Sequence, residues 1–226
     1  MLSFATLPLF PLGLVLYPGV MLPLHIFEDR YRRLVNELLE LPDGERRFGV
    51  VAIKAGREVG TAGVTALHQV GCSAELRYAD AYQDGRFDII ATGVTRFRLV
   101  DVQDSEPMRA RVQLLPNEVS EQAQPLANRV RRMFTSYRQA LMQAQGVQDA
   151  ADDDTPELPR DPTDLAHLVA AAMILDLSDK QQLLAAATID DMLRMEVQLL
   201  RRESSMVGSL SLRPAVELPR TPYASN

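Results

Sequence analysis

Pro8, Pro11, Pro18 and Pro23 fall within one apolar stretch, LPLFPLGLVLYPGVMLPLHI, from Leu7 to Ile26. Each proline removes a backbone donor and clashes with the preceding turn, so this stretch cannot be an interior helix. It does not fit a secretory leader either, because no basic residue precedes the apolar part and the prolines would break its helical core. Two short extended segments joined by a turn remain. Tyr17-Pro18-Gly19 suits that turn, since Pro presets φ and Gly accepts a positive one. Prolines within strands belong at edges, strand starts or bulges, so the ribbon is expected along the rim of a small sheet or barrel.

At Glu28 the apolar period changes from two to about 3.6. Tyr31, Leu34, Val35, Leu38 and Leu39 then share a stripe, and Leu41-Pro42-Asp43-Gly44 ends the helix. Extended segments follow at Phe48–Ile53, Gly63–Val70 and Ala74–Ala81. Asp84-Gly85 marks a hairpin turn into Phe87–Thr92. Arg96–Leu99 and Arg109–Leu114 alternate polar with apolar, the pattern of strands with one wet face. Pro116 closes this β-rich part.

From Glu118 the pattern is helical. Val119, Ala123, Leu126, Val130, Met133, Tyr137 and Leu141 step by three or four residues, with Pro125 either starting the helix or kinking it. Gly146–Arg160 is acidic and poor in large apolar residues, the composition of a mobile loop. Asp161-Pro162 opens the next helix as N-cap and first helical residue. Ser178-Asp179-Lys180-Gln181 matches a capping box, and Thr188-Ile189-Asp190-Asp191 caps a last helix expected to run to Glu203. The expected class is α+β. A β-rich lobe occupies 1–117, a helical bundle 118–205 and an extended tail 206–226.

The net charge of −6 argues against general nucleic-acid binding, and its acidic excess sits mainly between Asp149 and Asp164. Cys72 is the single cysteine, which excludes an intramolecular disulfide and fits a reducing, cytoplasmic setting. No apolar run reaches membrane-spanning length. There is no phosphate-cradling G-x-x-x-x-G-K-[ST]. His25, His68 and His167 are too scattered for a metal site, and Asp152–Asp154 lacks the spaced ligands of a calcium loop. Neither metal nor cofactor is expected. Ser178 near Lys180, or Cys72, are the nucleophile candidates; each reads better as a helix cap, an exposed lysine and a small buried residue.

The pattern P-L-F-P-L-x-x-V-L-Y-P-G-x-x-L-P-L-H-I-F-E-x-R-Y resembles the opening of the Lon N-terminal, or substrate-binding, domain. Val59-Gly60-Thr61, Asp84-Gly85-Arg86, Gly93-Val94-Thr95-Arg96-Phe97-Arg98 and Leu177–Leu184 follow in the order of that family. The resemblance covers about Leu7 to Glu203. It implies a PUA-like pseudobarrel backed by helices that captures unfolded or degron-bearing polypeptides for a protease, with neither the ATPase nor the protease part in this chain. It thus implies a non-enzymatic adaptor or regulator. Met21, Phe27, Tyr31, Tyr78 and Tyr82 are the candidates for the polypeptide-binding surface. The alternative is a PUA-like RNA-binding module using Arg96, Arg98, Arg109 and Arg111, with Arg129, Arg131 and Arg132 as a second cluster.

Overall fold

The computed structural model describes residues 3–56, 64–103, 105–144 and 157–211. Val59-Gly60-Thr61, Asp152–Asp154, most of the expected acidic loop and the end of the expected tail lie outside these residues. The architecture is α+β. Seven strands, β1 (Phe4–Leu12), β2 (Met21–Ile26), β3 (Arg47–Gly56), β4 (Val64–Leu67), β5 (Val70–Ala81), β6 (Phe87–Gln103) and β7 (Arg109–Leu114), form one sheet. Helix α1 (Asp29–Leu39) lies between β2 and β3 in sequence. After β7 come α2 (Ala123–Ala144), α3 (Pro162–Ala172), α4 (Leu177–Leu184) and α5 (Ile189–Ser211).

Half of the proline ribbon is a rim: β2 pairs with β6 alone among the described residues, as expected of an edge strand, whereas β1 is not at an edge. β1 and β2 do not pair with each other. β1 pairs antiparallel with β7 over Phe4–Pro8, then parallel with β3 over Leu9–Leu12. It therefore closes the ring β1-β7-β6-β5-β3 into a barrel. The prolines are tolerated because β1 changes partner at Pro8–Leu9. Pro8 is the last residue of one ladder, and Pro11 lies where the β7 ladder has already ended, so each can turn its donor-less nitrogen to an unpaired side. The expected turn does form. Gly19 has φ 77°, and the Val20 amide donates to the Tyr17 carbonyl at 3.2 Å.

The segments expected as separate strands around Phe87–Thr92 and Arg96–Leu99 are one strand, β6. Its first half pairs with β2 and β5, its second half with β5 and β7. Register shifts in the β5–β6 pairing, with Val94 of β6 extra beside Ser73 and Ala74 and Arg77 of β5 extra between Leu76 and Tyr78, supply the bend that lets one strand serve both. The Asp84-Gly85 hairpin turn is as expected, with Gly85 at φ 81°.

Helix α1 buries Tyr31, Leu34, Val35 and Leu38 against Phe10, Ile26, Phe48, Leu76, Phe87 and Ile89. The other face of the barrel packs Leu7, Leu9, Val51, Phe97, Ala110 and Val112. The helices form a third cluster in which α2 and α5 contribute Val130, Phe134, Tyr137, Leu193 and Leu200, and Tyr17 and Val70 reach in from the barrel side. Pro125 sits in the first turn of α2, where no intrahelical donor is lost. Asp161 caps α3, accepting from the Thr163 and Asp164 amides, and Thr188 caps α5 by accepting from the Asp191 amide. Ser178 is not a cap. Asp176 holds that position for α4, accepting from the Asp179 amide at 2.8 Å, because it precedes the helix and Ser178 is already inside it. Helix α5 continues past Glu203 to Ser211.

Three side chains hook the helices to the barrel through backbone carbonyls. Buried Arg96 of β6, 1% exposed, donates to Leu184 O at 3.0 Å, Ala186 O at 2.7 Å and Pro116 O at 3.3 Å. Gln181 Nε2 donates to Val70 O at 2.9 Å, and the Tyr17 hydroxyl to Lys180 O at 2.7 Å. Replacing Arg96 with Met leaves these carbonyls unpaired in a dry site and is expected to destabilise the fold by about 2–4 kcal/mol, measured by urea unfolding.

Glu196 of α5 is fully buried, and neither carboxylate oxygen has a partner among the described residues. Burial raises its pKa well above the ordinary 4.5, so the folded state holds it protonated while the unfolded state releases the proton. The folded state then binds more protons, and stability falls as pH rises above the unfolded value. Glu196→Met is expected to stabilise the protein by about 1–3 kcal/mol at neutral pH, with the gain shrinking as pH is lowered to the ordinary carboxylate range. Urea midpoints across pH measure this.

Candidate functional site

The first half of β6 forms an arm with β2 on one side and the end of β5 on the other. Its inner face carries Leu22, Ile26, Leu76, Phe87, Ile89 and Ala91, all buried under α1 and the barrel wall. Its outer face has no covering element among the described residues. The register puts Pro23 opposite Ile90, and Ile90 opposite Tyr78, so these make one row across three strands. Met21 lies beside that row, opposite Thr92. The next row is His25–Asp88–Asp80.

Of the residues selected from sequence, Met21 is 70%, Tyr78 57%, Phe27 51% and Tyr82 43% exposed, and all lie on or next to this face. Tyr31 is a correction. It is 6% exposed and belongs to the α1 core stripe, stacked on Phe10 with centroids 3.9 Å apart and Arg30 over the ring at 4.6 Å. Tyr31 and Phe10 instead help line a pocket of about 140 Å³ at the open edge of β2, with His25 and Phe27 also on its wall. Sequence reasoning missed Pro23 and Ile90, which are exposed yet sit inside apolar runs. The available signal was their alternation with Leu22, Leu24, Ile89 and Ala91.

A small polar network sits within the apolar face. The Tyr82 hydroxyl donates to Asp88 Oδ2 at 2.5 Å, and His25 Nδ1 lies 2.6 Å from Asp88 Oδ1. The tyrosine bond first, then the histidine bond, hold the Asp88 carboxyl below its usual range, while the hydrogen bond to Asp88, and then its charge, raise the Tyr82 phenol. An ionised Asp88 only accepts, so Nδ1 of His25 carries the proton and Nε2 is left outward. The ring of His25 lies between Phe27, at 6.3 Å, and Tyr82, at 6.0 Å. Pro23 occupies the middle of β2, whose far edge is unpaired among the described residues. Lacking an N–H, it leaves that edge short of a donor, which favours docking on the face over strand addition.

The nucleophile candidates are not assembled. Cys72 is fully buried, and burial pushes its thiol up to about 12. The Lys180 ammonium is half-buried, not exposed, and donates to Ala171 O at 3.0 Å, while Ser178 Oγ accepts from Gln182. Among the described residues no group of three or more His, Cys, Asp or Glu is placed to hold a metal. His167 is buried, which lowers its pKa to about 4. The arginine stripe of the RNA-binding alternative loses Arg96, while Arg98 and Arg111 are exposed. Arg96 is buried on carbonyls, Arg109 is paired with Glu37 at 2.6 Å, and Arg111 lies opposite Asp101 with its guanidinium 5.6 Å from the Phe4 ring. In the second cluster, Arg131 donates to Asn128 Oδ1 and to Pro159 O. No described helix is long and apolar enough to cross a membrane.

The fold is α+β: a barrel with an exposed apolar arm and a helical cluster packed beside it. The model for the ATP-dependent protease La (LON) substrate-binding domain matches residues 6–202, and the chain belongs to that family. Lon protease 1 of Herpetosiphon aurantiacus is 27% identical over 220 residues, covering 91% of this chain and 25% of that protein. Lon protease of Escherichia coli is 24% identical over 209 residues, covering 89% of this chain and 25% of that protein. The chain thus spans about a quarter of the length of these curated relatives. In fold it is similar to the N-terminal domain of Mycobacterium avium complex Lon protease, with a TM-score of 0.61 at 15% identity, covering 89% of this chain and 98% of that one. It is also similar to a Lon N-terminal domain protein from Xanthomonas campestris, with a TM-score of 0.55 at 24% identity, covering 87% and 98%.

The position of Cys72 gives a direct check on this packing. A thiol-reactive dye is expected to leave the native protein unlabelled over the time in which the urea-unfolded chain reacts completely.

Proposed function

We propose that this protein is a non-catalytic polypeptide-binding module that holds apolar segments of unfolded or degron-bearing proteins on the outer face of β2, β6 and β5. It serves proteolysis as an adaptor or regulator in the cytoplasm, with a protease as its second partner. Two lobes make up the working unit, 1–117 and a helical one that starts at 118 and extends with α5 to Ser211, past the expected bound of 205, and the binding face belongs to the first. The carrying observation is the row Pro23–Ile90–Tyr78, flanked by exposed Met21 and Phe27, on a sheet face where alternation normally places polar residues. Membership of a family of substrate-binding domains supports the same reading.

Denatured casein, labelled and titrated with the full chain, is expected to bind with a Kd of about 1–100 µM. The double variant Tyr78→Asp, Ile90→Asp should weaken this by about tenfold or more while leaving circular dichroism unchanged. Undetectable casein binding, or binding that the double variant leaves intact, would overturn the assignment.

A further inference from the structure

The apolar row is bordered by a charged one, His25–Asp88–Asp80. Asp80 and Asp88 are direct cross-strand partners, and like charges so placed destabilise a sheet. Asp88 is engaged by Tyr82 and His25. Asp80 is exposed and enters no ion pair among the described residues. Arg86, in the same hairpin, is committed elsewhere: its Nε donates to Asp84 at 2.8 Å and its guanidinium lies 5.6 Å from the Tyr82 ring. Arg77 is likewise held by Glu75 at 2.6 Å. One uncompensated carboxylate is therefore presented next to the apolar band, two residues along β5 from Tyr78, a distance of about 7 Å in an extended strand.

We infer that Asp80 makes this face selective for apolar segments that carry a lysine or arginine, whose cation docks on the Asp80 carboxylate while neighbouring apolar side chains cover Ile90 and Tyr78. This inference rests on the reading of the face as a polypeptide site. A basic client residue relieves the Asp80–Asp88 repulsion on binding. An acidic residue at the same place adds a third like charge to the row. The selection is electrostatic and exposed, so it is modest in size and sensitive to salt.

The test uses short fluorescent peptides of identical apolar content with Arg, Gln or Glu at the central position, titrated by anisotropy against the full chain and against Asp80→Asn. The Arg peptide is expected to bind the unsubstituted protein about three- to fivefold tighter than the Gln peptide, with the Glu peptide weakest. High salt should compress the series. Asp80→Asn should bring the Arg and Gln peptides together without moving the Gln peptide, and should raise the thermal midpoint of the free protein by removing the repulsion. Equal affinities of the Arg and Gln peptides, or a preference that survives Asp80→Asn, would overturn the selectivity. If the Tyr78→Asp, Ile90→Asp variant still loses peptide binding in that case, the site stands and only the charge selection falls. Failure of every peptide to bind removes both.

Discussion

The structure depends on a single buried cation. Arg96 leaves the barrel wall and places its guanidinium on the carbonyls of Leu184 and Ala186, at the C-terminal end of α4, and on that of Pro116, where the chain departs from β7. A helix C-terminus carries partial negative charge, so this is a site where a desolvated guanidinium is compensated without a carboxylate. Arginine suits the geometry, because two separate nitrogens of a planar fork serve three spaced acceptors, whereas an ammonium offers its donors from one nitrogen. The bonds from Gln181 to Val70 and from Tyr17 to Lys180 run across the same seam. Side chains of each part are thus tied to backbone of the other, which fixes the seam in one register more tightly than apolar contact alone would.

That seam consumes the second half of β6 and leaves the first half free for other work. A strand of 17 residues is long enough to do both, and the register shifts in its pairing with β5 let its two halves face different surroundings. The inner face of the arm is committed to α1. The outer face breaks the rule that an antiparallel sheet is apolar inward and polar outward, at Met21, Pro23, Tyr78 and Ile90 together. Scattered exposed apolar residues need no explanation, but four that the register brings side by side, on an arm whose other face is closely packed, do. Local patterning and global fold agree through most of the chain, and the places where they part are where function is expected.

Much of this was legible in the sequence and some was not, for identifiable reasons. Punctuation by Pro and Gly located the Tyr17–Gly19 turn and the Asp84-Gly85 hairpin, because those residues act on φ directly and need no tertiary context. The helix caps Asp161 and Thr188 were readable for the same reason, whereas Ser178 was misplaced because Asp176, two residues earlier, offers an equally good acceptor. The large side chains Met21, Phe27, Tyr78 and Tyr82 stood out at polar positions, but Tyr31, at helical spacing with Leu34, Val35 and Leu38, belonged to the stripe that it also resembled. Alternation around Arg96 suggested a wet face, yet Arg96 is buried. Alternation could not show that helices nearly ninety positions later in the chain cover that face, which is a long-range fact. β1 was misread as a rim because a strand that changes partner midway tolerates prolines as an edge does. The rows Pro23–Ile90–Tyr78 and His25–Asp88–Asp80 depend on strand register, which no local pattern encodes.

The dimensions of the face bear on the kind of recognition it can support. Three strands spaced by about 4.8 Å make the apolar row about 10 Å across, while an extended peptide advances about 7 Å for every two residues. A bound segment crossing it therefore places only about two side chains on the row, with the small pocket by Phe27 beside it. So small a footprint lies far below the area of a stable protein–protein interface, and affinity per segment is correspondingly low. A folded partner that exposed one such segment would be held poorly. An unfolded chain presents many, and repeated rebinding along it raises the effective concentration of each next segment. On the proposed polypeptide-binding reading, the geometry thus favours clients by their state of folding more than by a single motif, and the proposed role of Asp80 would add a bias among segments without turning the face into a tight binder.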